Sequence, residues 1–296
     1  MIKAQMTLYS YFLTAMVTIL WGFNFVFAKV ALQHFEPFTM LVLRFLIIAI
    51  LLGPFFRTPP IAISRIIYLS FTFSILHLGT MFWSLNKGID AGTGIIALQT
   101  HVPFLLILGI IFFNDKFGIE SAIGIILSFI GSVLLMQAPN SIANPFAFFL
   151  MIFSAFSVAI YGVQLKKLEN VNTVALITWI AISSIPMMLP FALFFEDNHI
   201  NMILTADIKV IASLLYVTIG SAIIGHSLWA YLLARNPVSA IAPITLLIPV
   251  IGVLGGALFL DETLSLVMII GAILMIIGVG IVIIRRPKMV ELEVDL

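Results

Sequence analysis

The 296-residue chain has no cysteine and little charge: Lys, Arg, Asp and Glu fill only 9% of its positions. Without cysteine there are no disulfides, thiolate metal sites or cysteine nucleophiles. Neither sign of charge dominates, with 14 basic against 13 acidic residues, and no basic stripe offers itself to nucleic acid. No Gly-x-x-x-x-Gly-Lys-Ser/Thr phosphate loop occurs, so this chain is not expected to hydrolyse ATP. His-Glu-x-x-His and Gly-x-Ser-x-Gly are missing too, so an enzyme is not expected and no cofactor is implied.

What is abundant is apolar sequence, at 62% of residues. Soluble domains run at about 45–50% apolar and about 25% charged. No single soluble core could bury so much, and the solvent for most of this chain is lipid. Apolar runs long enough for about 30 Å of hydrocarbon fall near 8–28, 37–56, 65–86, 92–113, 117–136, 146–165, 173–195, 209–231, 238–260 and 264–284. Turn and charge signals such as "RTPP", "NKGIDAG", "KKLEN" and "FFEDNH" separate them. The first run follows "MIKAQM" and is expected to be an uncleaved helix rather than a signal peptide. The expected fold is therefore an all-α polytopic membrane protein of ten transmembrane helices.

Orientation follows from the basic residues. With the N-terminus inside, Lys3, Arg57, Arg65, Lys116, Lys166, Lys167, Arg235, Arg285, Arg286 and Lys288 lie at cytoplasmic ends. Only Lys29, Lys87 and Lys209 lie outside, so both termini are expected in the cytoplasm.

The second half repeats the first. A shift of 146 positions (229 less 83) sets Trp83 on Trp229, Pro103 on Pro249, Gly109 on Gly255 and Asp115 on Asp261. One further residue of slip sets Gly124 on Gly271 and Gly131 on Gly278. Five spans per half is an odd number, so the second half would enter the membrane inverted, the pattern of secondary transporters. The expected units are 1–138, an inverted copy at 145–286, and a cytoplasmic tail at 287–296.

Within this frame "WGFN" (Trp21 to Asn24) matches "YGVQ" (Tyr161 to Gln164): an aromatic, a glycine, and an amide three residues after the ring. Ring and amide then share a helix face. Asn24 and Gln164 sit at mirrored depths and either flank the two mouths of a cavity or tie helices together. Lys29, Lys166 and Lys167 close the same helices, where a cation complements the helix dipole and snorkels to headgroups.

Mid-span polar groups are few. Pro103 and Pro249 free the carbonyls of Gln99 and Thr245, making either a broken-helix site or an ordinary kink; His101 lies beside Gln99. His77 is the first candidate proton carrier, and His226 shares a face with Trp229, although either histidine can equally bridge helices. Arg44 lies well inside the second run. Its structural reading is snorkelling or pairing with Glu36 or Asp90, and its functional reading is a grip on a substrate carboxylate. No Asp or Glu reaches the middle of any span, which removes the usual carboxylate relay and favours a facilitator over a proton-linked antiporter.

"LWGFNFVFAKVAL", "LRF" at Leu43 to Phe45, a proline in the fourth and ninth helices, and "LLIPVIGVLGGALFLDETLS" together resemble the EamA-type drug/metabolite transporters. From "GHSLWAYLLARN" through "ILMIIGVGIVI" the likeness is to the O-acetylserine/cysteine exporter branch. One departure is "NDKFG", where Lys116 stands in place of the family's usual glutamate. The resemblance implies an exporter of amino acids or related metabolites in a bacterial inner membrane, with a cavity built mainly from helices 1, 3, 4, 6, 8 and 9. It also implies drug efflux or metabolite import as neighbouring readings. A receptor or assembly factor fits less well, having no need of two mirrored gates.

Overall fold

The computed structural model describes residues 7–113, 118–135, 143–168, 171–233, 235–236 and 246–284. Every regular element among them is helical. Six helices are long and apolar enough to cross a membrane: Leu8–Ala31, Ile63–Asn86, Ala91–Phe112, Pro145–Lys166, Thr173–Phe195 and Ile208–Leu232. Pro37–Leu52, Ala122–Leu135, Leu247–Phe259 and Leu266–Ile281 are shorter apolar helices.

Several long helices are interrupted. The first bends at Phe23, between α1 (Leu8–Gly22) and α2 (Asn24–Ala31), inside the aromatic-glycine-amide motif. The helix at Ile63–Asn86 runs as α3 (Ile63–Ser70), a π-helical stretch over Phe71–Gly79 and α4 (Thr80–Asn86). Ile208–Leu232 has a matching wide segment at Tyr216–Gly225, and the two stretches end 146 positions apart, 225 less 79. Nothing in the spacing of apolar residues announces either one. π-Helical turns widen the coil and expose backbone carbonyls that a regular helix would use, and they are frequent at functional sites.

The segment at Ala91–Phe112 breaks between Leu98 and His101, just before Pro103. The expected free carbonyl of Gln99 is not free: it accepts from Val102 N at 3.0 Å. Proline thus moves the bond one residue closer and makes a kink. Pro249 is buried near the start of Leu247–Phe259. Its counterpart to Gln99, Thr245, lies outside the described residues, as do Asp115 and Lys116.

Small residues set how closely the helices meet. Helix Ile119–Leu135 packs along Leu266–Ile284. A Cβ on Gly131 would stand 2.6 Å from the Gly271 carbonyl oxygen, and one on Gly278 would stand 2.5 Å from that of Gly124. Those pairs, 131 with 271 and 124 with 278, interchange the partners that the sequence offset aligns. Likewise Gly22 admits Ile251, and Gly162 admits Leu105. Close backbone approach replaces the hydrophobic drive that lipid cannot supply.

Candidate functional site

One end of the bundle is shut by charged side chains set on helix termini. Glu196, past the end of Thr173–Phe195, accepts from Phe38 N at 2.6 Å and from Thr39 N and Oγ1 at 2.7 Å. These are first-turn donors of helix Pro37–Leu52, where the helix dipole favours an anion. Glu262 does the same for Ala91–Leu98, accepting from Ala91 N at 2.5 Å and Gly92 N at 2.8 Å. Burial pushes both carboxyls above their ordinary range, while the amide donors pull them back only in part. Lys29 donates to the carbonyls of Leu85 at 2.7 Å and Ile89 at 2.6 Å. It serves the end of the neighbouring helix rather than the end of its own, as the snorkelling expectation had it. Below these caps lies a continuous apolar core that includes Phe25, Met81, Phe82, Leu85 and Ile89.

The other half of the bundle holds a cavity. Arg44, Phe45, Ile48, Phe73, Tyr161, Ile177, Ile180, Ala181, Ala222 and His226 line it, with room of about 40 Å³ for water-sized occupants. Three sequence candidates therefore meet here: Arg44, Tyr161 and His226. Arg44 is 4% exposed, and its Nε and Nη1 have no hydrogen-bond partner. Its nearest charge-type contact is the Phe82 ring, 5.8 Å from the guanidinium carbon. Pairing with Glu36 or Asp90 is not seen.

The other described candidates are not among the lining residues. Trp21 lies 5.2 Å from the His226 ring and 5.6 Å from Trp229, and its Nε1 donates to the Ser221 carbonyl at 3.2 Å. His226 Nδ1 faces the carbonyls of Ala222 at 3.0 Å and Ser221 at 3.2 Å. Carbonyls only accept, so Nδ1 carries the hydrogen and Nε2 is left as an acceptor on the neutral ring.

A similar arrangement joins Thr72, Phe73 and His77 of the first half to Ser154, Tyr161 and Gln164 of the second. Tyr161 stacks at 4.8 Å on Phe73, which lies 5.6 Å from His77. His77 Nδ1 donates to Ser154 Oγ at 2.8 Å, and that hydroxyl donates to the His77 carbonyl at 3.0 Å. Gln164 Nε2 donates to Thr72 Oγ1 at 2.9 Å, while its Oε1, like Asn24 Oδ1, is buried without a partner. Gln99 caps the end of Ala91–Leu98, and His101 Nδ1 donates to the Leu98 carbonyl at 2.9 Å, both beside the kink.

The cavity's second wall went unforeseen. Ile48, Ile177 and Ile180 come from the second and seventh apolar segments, and nothing marks them in a sequence where most residues are apolar. Arg44 was the one available signal, being the lone charge deep in a span.

A family model described as the EamA-like transporter family matches residues 8–137 and again 145–284. The chain belongs to the EamA-like transporter family. It is 32% identical over 279 residues to a Salmonella typhimurium protein named a probable amino-acid metabolite efflux pump, covering 91% of this chain and 93% of that one. An Escherichia coli protein of the same name is 29% identical, with 91% and 93% covered. An uncharacterized transporter of Archaeoglobus fulgidus is 28% identical, with 92% and 98% covered. A solved crystal structure shares the fold at a TM-score of 0.63 and 15% identity, over 92% of this chain and 96% of its own. This EamA-family protein is thus a multi-pass membrane transporter with a small-molecule substrate.

Proposed function

We propose that this transporter exports neutral amino acids or their derivatives, of the cysteine and O-acetylserine kind, across a bacterial inner membrane by alternating access. In this reading the six long and four shorter apolar helices are ten spans, arranged as two inverted five-helix units at 1–138 and 145–286. Both termini lie in the cytoplasm. The names of the Salmonella and Escherichia relatives support the substrate class.

One observation carries the mechanism: the bundle is capped at one end and keeps a small cavity, with room of about 40 Å³, in its other half. Arg44, Tyr161 and His226 give the hollow three polar groups on otherwise apolar walls, the composition of a small-ligand site. With the N-terminus inside, the hollow half is cytoplasmic and the capped end external, so the conformation is one that has closed outward. Export then requires the carboxylate and lysine caps to release while the cavity side collapses. The absence of a mid-span carboxylate favours facilitated exchange over proton coupling.

The test is counterflow in proteoliposomes of purified protein with labelled cysteine, O-acetylserine and phenylalanine, empty liposomes serving as control. Uptake driven only by unlabelled amino acid inside is the expected result. No exchange of any of the three by folded protein would overturn the proposed substrate class.

A further inference from the structure

Arginine does not lose its proton in proteins, so a guanidinium held in an apolar interior needs an anion or a set of acceptors. Arg44 has neither. It is buried, Nε and Nη1 lack partners, and the cavity walls beside it are Phe45, Ile48 and Phe73. A purely structural arginine would be expected to spend its donors on carbonyls, as Lys29 does on Leu85 and Ile89. The carboxylate that caps the same helix, Glu196, is committed to Phe38 and Thr39 one and a half turns away.

We propose that Arg44 is the anchor for the carboxylate of the transported metabolite. This rests on the export reading and names the chemical feature its substrate must carry. A carboxylate takes two guanidinium donors at once, which gives orientation as well as attraction. His226 lines the same cavity; its Nε2 is the acceptor left by the Nδ1 bonds to Ser221 and Ala222, and it receives an ammonium or hydroxyl hydrogen. Tyr161 brings a hydroxyl to the same space. A cation, an acceptor and aromatic walls fit an α-amino acid with a small or apolar side chain. The present room suits a few water-sized groups, so the loaded state is wider than this one.

The experiment compares free acids with their carboxamides. In counterflow by wild-type protein, excess phenylalanine or cysteine should inhibit at least tenfold better than phenylalaninamide or cysteinamide. Arg44→Gln should reduce that preference below twofold, and Arg44→Lys, which keeps the charge but loses the fork, should fall between. A wild-type protein that treats acid and amide alike overturns the assignment, as does an Arg44→Gln protein that keeps the full preference.

Should Arg44→Gln fail to elute as a folded species, the wild-type comparison and Arg44→Lys decide. Should wild type exchange none of the amino acids, the export reading falls. Arg44 is then judged by the melting of detergent-solubilised protein with 3-phenylpropionate against its amide. A shift with the acid alone, reduced in Arg44→Lys, keeps the anchor; no shift, or a full shift in Arg44→Lys, overturns it too.

Discussion

The two ends of the bundle treat their charged side chains in opposite ways. At the capped end Glu196, Glu262 and Lys29 satisfy the free backbone groups of other helices, and an apolar core seals the space beneath. At the hollow end Arg44 Nε and Gln164 Oε1 are buried with no partner at all. The capped end is bonded to backbone, which is present whatever side chains line a pathway, so its closure is independent of substrate. The hollow end leaves the Arg44 guanidinium and the Gln164 carbonyl uncommitted, which is costly unless a ligand or water meets them in part of the cycle. In the proposed export cycle the three caps release as the cavity closes.

The sharpest way to break that contrast is Gly256→Ala. Its added Cβ would collide with the Glu262 carboxylate and come within 3.3 Å of Gly92 N, forcing the cap off helix Ala91–Leu98. Overpacking and two orphaned amides together should cost about 3 kcal/mol of stability. The cysteine-free background gives a direct readout. Ser84→Cys, buried at the capped end, should resist an impermeant maleimide while Gly256 is present and become reactive in the Gly256→Ala variant. Unchanged melting and labelling would mean that Glu262 closes nothing.

Glu196→Ala comes next, with an expected loss of about 2 kcal/mol as Phe38 and Thr39 lose their acceptor. Its pH signature is separable. Burial, the largest influence, raises the Glu196 carboxyl above its unfolded value. Its contribution is therefore full below the unfolded pKa near 4.5 and is lost as pH rises through the folded one. Melting temperature should climb as pH falls from 7 toward 5, and Glu196→Gln should flatten that climb. An unaltered slope would assign it to another group. Lys29→Met, which strips donors from Leu85 and Ile89, should cost about 1 kcal/mol and raise Ser84→Cys labelling modestly.

Much of this contrast was legible before any coordinates. Composition indicated the membrane, the glycine offset marked the four glycines that meet, although they meet as 131 with 271 and 124 with 278 rather than in the pairs it aligns, and helical spacing set His226 on one face with Trp229. The depth of Arg44 was readable from its distance to Pro37. The caps were not. Glu262 and Ala91 are 171 positions apart, and no local rule links a loop carboxylate to one helix start among many. Nor were the π-helical stretches, which depend on tertiary packing rather than on apolar period. The cavity's isoleucines were hidden for a simpler reason, since apolar residues carry no signal where nearly everything is apolar.

The smallest expected effect sharpens the comparison most, because it sets stability against flux. Asn24 is 9% exposed with Oδ1 unpartnered, and Gln164 leaves Oε1 in the same condition while its amide nitrogen holds Thr72. If Asn24 served only to bind helices together, Asn24→Leu should destabilise the protein and leave counterflow intact. A group kept for the transport cycle behaves in reverse. Removing an unsatisfied buried carbonyl should stabilise this conformation by about 0.5–1 kcal/mol while counterflow falls at least fivefold. Gln164→Leu should show the same loss of flux with less gain in stability, since it also abandons the Thr72 hydroxyl. Lower melting with equal flux in both variants would return the two amides to packing, and with them the matched motifs "WGFN" and "YGVQ".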